Sequence, residues 1–246
     1  MCGIIGYVGS KEAGPILLDG LHRLEYRGYD SAGLSILDPN GCISTVKRSG
    51  KLIELEEALK SDMPPGICGI AHTRWATHGV PNQVNAHPHC SMNDDIALVH
   101  NGIFENAGVL RGNLTELGYN FQSDTDTEGL VHLIDQAFDE NESLEEAVAV
   151  ALGQIEGAYG IAVISIRDPG KIVVARQGSP LIVGIGKNGE NLVASDVPAV
   201  IKHTKDVVYL DDGDCAVLTS DGHHVFHLED GEVRRSIHRV KWDLGS

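Results

Sequence analysis

Basic residues are scarce in this sequence. Only 19 Lys and Arg face 35 Asp and Glu over 246 residues, a formal net charge of -16. No basic stripe is left to neutralise phosphates, so nucleic acid and anionic membrane surfaces are set aside as partners, and a small polar substrate fits better. Long apolar runs are also missing: none approaches the roughly 18 to 20 residues that cross a bilayer, and Met1 to Ser10 contain no basic n-region. A soluble, cytoplasmic protein is therefore expected. The five cysteines, Cys2, Cys42, Cys68, Cys90 and Cys215, are odd in number and include no CxxC pair, which argues against a disulfide framework or a thiolate zinc site. Neither a repeat nor a low-complexity tract is present, and no internal linker separates Cys2 from Val240. With 42% apolar residues, one domain with a substantial core is the starting expectation.

What is present reads as strands, then helices, then strands. Cys2 to Val8 is a short apolar run broken by Gly, and Lys11 to Leu24 carries Ala13, Ile16, Leu17, Leu21 and Leu24 at helical spacing, with Pro15 in the first turn. Ala32 to Leu37, Ile43 to Lys47, Ile67 to Thr73 and Ile96 to His100 read as strands, with a short helix between Leu52 and Leu59. Three helical patterns follow, marked by Leu110, Leu114 and Leu117, by Leu130, Ile134 and Phe138, and by Leu144, Val148, Ala151 and Ile155. From Gly160 to Val240 the chain returns to short β segments, the strand at Ile161 to Ile166 among them, separated by turn signals such as Asp168-Pro169-Gly170, Lys187-Asn188-Gly189 and Asp221-Gly222. This order points to an α+β fold of mixed layers rather than to a parallel βαβ alternation.

Cys2, followed by Gly3, is the first residue with chemical content. A small second residue is what methionine aminopeptidase accepts, so removal of Met1 would leave Cys2 with a free α-amine. A thiol titrates near 8.5 and an α-amine near 7.7 to 8.0, so the amine can serve as general base to the thiol of its own residue. Alone, Cys2 reads equally as a small hydrophobe in a first strand. It is accompanied by polar motifs at the ends of strands, where loops on a rigid scaffold carry function. RGYDSAG spans 27–33, AHTRWATHG 71–79, NAHPH 85–89, HNGIFEN 100–106 and SDTDTEG 123–129. Asn101-Gly102 taken alone is a type I′ hairpin turn, and Thr125 and Glu128 stand at capping-box spacing around Asp126. His87-Pro88-His89-Cys90 has zinc-binding residue types but no second pair at finger-like spacing, and His223-His224 reads as a solvated hairpin end. Cys42, Cys68, Cys90 and Cys215 read as inert, mostly buried thiols.

Together with Cys2-Gly3-Ile4, these motifs run in an order that resembles the glutaminase domain of the glutamine:fructose-6-phosphate amidotransferases. The resemblance covers Cys2 to Gly129 and implies a four-layer αββα N-terminal-nucleophile hydrolase sandwich with two antiparallel sheets. It implies a class II glutamine amidotransferase unit over 2–240, with 241–246 beginning a connection to a C-terminal sugar isomerase region that holds the fructose 6-phosphate site. In its terms Cys2 attacks the side-chain amide of L-glutamine, releasing ammonia and leaving a γ-glutamyl thioester for water to hydrolyse. Asn101 and the Gly102 N–H form the oxyanion hole, Arg74 takes the α-carboxylate and Asp126, rather than Asp124, the α-amine. Thr77 and His78 contact glutamine partly through backbone groups. Trp75 gates the route of ammonia, where its position beside a strand alone suggests core packing. Arg27 orders the region around Cys2, or forms a structural ion pair with Asp30 or Glu25. No metal or organic cofactor is implied, and the full-length enzyme is expected to be a homodimer. The phosphoribosyl amidotransferases of purine synthesis resemble the sequence less well, because they lack the HTRWATHG string. A catalytically dead binding module on the same fold is disfavoured by the presence of Cys2, Arg74, Asn101, Gly102 and Asp126 together.

Overall fold

The structure, a computed structural model, describes residues 2–76 and 79–241. In chain order its strands are Gly3–Val8 (β1), Ser31–Leu37 (β2), Ile43–Ser49 (β3), Cys68–Arg74 (β4), His89–Cys90 (β5), Ile96–Phe104 (β6), Gly157–Ser165 (β7), Lys171–Gln177 (β8), Ile182–Ile185 (β9), Asn191–Ala194 (β10), Asp206–Tyr209 (β11), Asp214–Thr219 (β12), Gly222–His227 (β13), Gly231–Glu232 (β14) and Ile237–Arg239 (β15). The helices are Ala13–Leu24 (α1), Leu52–Ser61 (α2), Ala107–Glu116 (α3), Asp126–Phe138 (α4) and Leu144–Leu152 (α5). The strands form two sheets, ordered β15-β11-β9-β10-β1-β4-β2-β3 and β14-β13-β12-β8-β7-β6-β5. Neighbouring strands pair antiparallel throughout, as where β1 lies between β4 and β10.

Strand alternation sorts the apolar residues into three layers. In the first sheet Ile5, Tyr7, Leu34, Ala71 and Leu192 turn outward beneath Leu17, Leu21 and Leu24 of α1 and Leu52, Leu55 and Leu59 of α2. In the second, Ile96, Leu98, Ile161, Val163 and Val173 turn outward beneath Leu114 of α3, Leu130 and Ile134 of α4, and Val148 of α5. The opposite faces meet through Ile4, Val8, Ile70, Ala97, Val99, Ala162, Ile164, Val174 and Val193. Helix, sheet, sheet, helix is the αββα sandwich, with the sheets antiparallel as expected.

Several boundaries differ from the sequence pattern, each for a local reason. Helix α1 begins at Ala13 rather than Lys11 because the Lys11 N–H is taken by the Tyr7 hydroxyl at 3.1 Å. Helix α5 stops at Leu152, short of Ile155, and the chain then turns toward β7, where Asn106 donates to the Gln154 carbonyl and accepts from the Glu156 N–H. The largest departure is β6. It runs through Asn101-Gly102 to Phe104, paired residue by residue with β7 from Ile96↔Ser165 to Phe104↔Gly157. The hairpin-turn reading of Asn101-Gly102 is therefore wrong, and β7 starts at Gly157 rather than Ile161. Strand β5 was not evident in the sequence at all. Cys42 is exposed and Cys90 intermediate, so only Cys68 and Cys215 are buried as expected, each pushed up to about 12 by burial.

Among the described residues no helix is long and apolar enough to cross a membrane. The layer between the sheets is expected to dominate stability. Ile70→Ala, fully buried there, should lower the unfolding free energy by about 2–5 kcal/mol, measured as a lower urea midpoint at unchanged slope.

Candidate active site

The layer between the sheets does not stay apolar along its whole length. On β4 the residues facing it run Cys68, Ile70, His72, Arg74, and on β6 Ala97, Val99, Asn101, so both strands turn polar toward the same end. Cys2 sits at that end, immediately before Gly3, whose register partner is Thr73. Arg74 closes β4, and Asp126 opens α4. One cleft is lined by Cys2, Arg74, Trp75, His87, His100, Gly102, Thr125, Asp126 and Thr127. Sequence segments separated by more than 100 residues thus supply one site.

The Cys2 Sγ accepts the Trp75 N–H at 3.2 Å. Burial pushes the Cys2 thiol up, the Trp75 N–H and the Arg74 charge pull against it, and Asp30 adds to the rise. The thiol is thus the resting form near neutral pH, and a nucleophilic role requires a base that takes its proton. Asn101 Nδ2 donates to the Cys2 carbonyl at 3.3 Å, as does Arg27 Nη1 at 3.3 Å. Arg27 also forms an ion pair with Asp196 at 2.8 Å, while Glu25 accepts from Tyr29 and Asp30 from the Ala76 N–H. That Asp30 contact holds the segment carrying Trp75 against the strand ends. The indole is 53% exposed, which removes the core-packing reading of Trp75. It lies over Gly28, whose φ of 74° and lack of Cβ allow the approach: a Cβ there would stand 2.7 Å from the ring.

Gly102 is constrained in the same way. Its φ is 137°, and a Cβ would fall 2.0 Å from the Ala158 carbonyl oxygen, so only glycine fits this point of the β6–β7 pair. Asp126 occupies the first helical position, where the dipole favours a carboxylate. Its Oδ2 accepts the Phe104 N–H at 2.9 Å, tying α4 to the end of β6. Asp124 instead exchanges hydrogen bonds with Asn85 and does not line the cleft. The capping box expected from Thr125 and Glu128 is replaced. Thr125 Oγ1 meets His89 Nε2 and Ser123, and Glu128 accepts the N–H groups of Gln122 and Ser123. Arg74 is buried at the cleft wall. Thr77 and His78 lie outside the described residues, as do Met1 and 242–246.

Around the cleft four imidazoles are buried, at His72, His87, His89 and His100. His72 Nε2 meets Asn101 Oδ1 at 2.9 Å, while the Thr127 hydroxyl lies 2.8 Å from His87 Nε2 and 3.0 Å from His100 Nδ1. His87 Nε2 and His89 Nε2 meet the Thr127 and Thr125 hydroxyls, and Cys90 Sγ meets Thr45 Oγ1. Among the described residues no group of three or more His, Cys, Asp or Glu is arranged to hold a metal ion. Neither Asp196 nor Asp30 was singled out as a support by the sequence, and nothing local to Asp196 signals its contact with Arg27.

Burial holds all four imidazoles below their usual range, His72 and His89 at about 3. Unfolded, each takes a proton below about 6.5; folded, it does not, so stability is full above 6.5 and falls as the pH drops toward 3. Glu128, held at about 2 despite burial by its hydrogen bonds, adds its own loss only below 4.5. Unfolding free energies from urea titrations between pH 6.5 and 4.5 are therefore expected to fall by up to about 1.4 kcal/mol per pH unit for each such histidine. His72→Gln should flatten that slope.

Comparison with known proteins places this geometry. Residues 72–202, just over half of the chain, match the family model described as the glutamine amidotransferase domain. The glutamine–fructose-6-phosphate aminotransferase (isomerizing) of Chlorobaculum tepidum is 51% identical over 99% of this chain and 40% of its own length. The Thermus thermophilus protein of the same name is 50% identical over 99% of this chain and 40% of its own length. The chain therefore spans about 40% of the length of these relatives. Among solved structures, the glutamine phosphoribosylpyrophosphate amidotransferase of B. subtilis superposes with a TM-score of 0.80 at 28% identity, covering 95% of this chain and 50% of that one. A class-II glutamine aminotransferase domain protein of Silicibacter pomeroyi shares the fold, with a TM-score of 0.64 at 14% identity over 92% of this chain and 99% of that one. The cleft at the polar end of this sandwich is thus carried by a chain that belongs to the glutamine amidotransferase domain family.

Proposed function

We propose that this chain hydrolyses L-glutamine to L-glutamate and ammonia, with Cys2 as nucleophile after removal of Met1. The observation that carries the reading is the convergence on one cleft of a thiol, a cation at Arg74 and a carboxylate at Asp126. A zwitterionic amino acid needs one charge of each sign to hold its α-groups, and a bidentate guanidinium suits the carboxylate. The thiol sulfur attacks the side-chain amide carbon while the Cys2 α-amine takes the thiol proton. The oxyanion is received by Asn101 Nδ2 and the Gly102 N–H, each such donor contributing about 2.7–4 kcal/mol to the transition state. Collapse breaks the C–N bond, the amine returns the proton to the leaving ammonia, and water hydrolyses the thioester. Arg27, through the Cys2 carbonyl, holds the nucleophile in register. Trp75, which lines the cleft, gates the route of ammonia, and the family resemblance alone assigns Thr77 and His78 to glutamine binding.

The relatives' names and lengths support a longer protein in which residues 2–240 form the amidotransferase unit and 241–246 lead to a sugar isomerase region. In that protein, a cytoplasmic homodimer, ammonia passes to fructose 6-phosphate. Phosphoribosylpyrophosphate as acceptor is the weaker reading, because identity is 28% to that enzyme against about 50% to the aminotransferases.

Ammonia release from glutamine tests the core reading. Cys2→Ala is expected to fall to the uncatalysed background, and equal rates for the two chains would sink it. A chain retaining Met1, whose Cys2 nitrogen is an amide without base character, is expected to bind glutamine yet turn it over poorly. Full activity in that form would refute the amine as base. Arg74→Lys, which loses the planar fork, is expected to raise KM for glutamine by roughly tenfold or more with a smaller change in kcat.

A further inference from the structure

One polar group at the cleft has no part in that scheme, His72. Its ring is fully buried on β4, and its Nε2 stands 2.9 Å from Asn101 Oδ1. The other end of the same amide, Nδ2, donates to the Cys2 carbonyl at 3.3 Å. A carbonyl only accepts, so the NH₂ end of Asn101 must face Cys2 and its oxygen must face His72. His72 is then the donor, as the Nε2–H tautomer. Were the amide turned over, its oxygen would meet the Cys2 carbonyl, acceptor against acceptor, and His72 Nε2 would have to give up its hydrogen to stay paired. The Cys2 carbonyl sets the direction of Asn101, and His72 in the Nε2–H form holds it there.

We propose that His72 is a positioning residue for the oxyanion hole: its Nε2–H fixes the Asn101 amide with the NH₂ edge toward the cleft. The proposal rests on the glutaminase reading above. One hydrogen of that NH₂ is spent on the Cys2 carbonyl and the second remains for the oxyanion. His72 is itself held. Its ring lies 4.3 Å from that of His87, and His87 shares the Thr127 hydroxyl with His100. That hydroxyl also donates toward Asp126 Oδ1 at 3.4 Å, so it joins both rings to the carboxylate. Thr127 follows Asp126 in the first turn of α4. The oxyanion donor and the ligand for the α-amine are therefore held in one frame of uncharged side chains. Burial keeps His72 neutral down to about pH 3, so the contact persists across the working range.

If His72 only filled space, any apolar side chain of similar size would serve. The test measures glutaminase kinetics of the Met1-free chain for His72→Phe, His72→Gln, His72→Met, Asn101→Ala and the double variant His72→Phe with Asn101→Ala. His72→Phe and His72→Met are expected to lower kcat roughly tenfold to a hundredfold, within the effect of losing one oxyanion donor, with KM changed little. His72→Gln, whose Nε2–H reaches the same point, should recover most of the rate. The double variant should be no slower than Asn101→Ala, because the His72 contact acts through that amide. If the Phe variant fails to fold, the contrast between Gln and Met decides. Wild-type rates in the Phe or Met variant, losses that multiply in the double variant, or a Gln variant no better than Met would overturn the proposal while leaving the glutaminase reading intact. Equal ammonia release by the wild-type chain and Cys2→Ala would overturn both.

Discussion

A chain end frays unless its backbone is held, and this one is held from both sides. β1 lies at the centre of its sheet, with Gly3 to Val8 in register with Thr73 to Cys68 on β4 and Ile5 to Val8 with Ala194 to Asn191 on β10. Beyond the strand the grip continues. The Ser195 hydroxyl accepts the Ile4 N–H, the Ser195 N–H returns to the Ile4 carbonyl, and the Cys2 carbonyl takes hydrogen bonds from Arg27 and Asn101. A residue that would otherwise move with the terminus is placed at a fixed point against Arg74 and the end of α4.

That fixed point lies where the inter-sheet layer changes character. Apolar side chains from both sheets fill the layer until His72, Arg74 and Asn101 replace them. Polar groups buried this deeply must be paired or uncharged. The four imidazoles meet the requirement by staying neutral, with the Thr125 and Thr127 hydroxyls as partners of His89, His87 and His100 and the Asn101 amide as partner of His72. The charges of Arg74 and Asp126 stand at the wall of the cleft rather than among these rings.

Much of this was legible in the sequence, for a reason that also marks its limit. Helices α1 and α5 bury one face and write its period into the chain, while strands β1, β2 and β4, buried on both faces, write short apolar runs. The polar half of β6 writes none. Gly102 lines the cleft and Asn101 reaches the Cys2 carbonyl beside it, and only the pairing with β7 keeps them extended, so local chemistry suggested a turn. Strand β5, two residues long, is likewise made by its pairing alone. At the site the motif residues Cys2, Arg74, Gly102 and Asp126 do share a cleft. Contacts made through space left no such trace. Asp196 reaching Arg27, Asp30 reaching Ala76 and His72 reaching Asn101 join positions 169, 46 and 29 residues apart. Capping-box spacing was real at Thr125 and Glu128, but Thr125 turns to His89 and Glu128 folds back onto the Gln122 and Ser123 N–H groups.

The central place of β1 also has a consequence in time. One of its two neighbours is β10, and the Ile4–Ser195 contact joins residues 191 positions apart. Pairings of such long range form late, after most of the chain is available. Throughout that interval Ile5 to Val8 present an open strand edge, and it closes once β10 docks. The strand that holds Cys2 in place is thus completed only when the two halves of the chain meet.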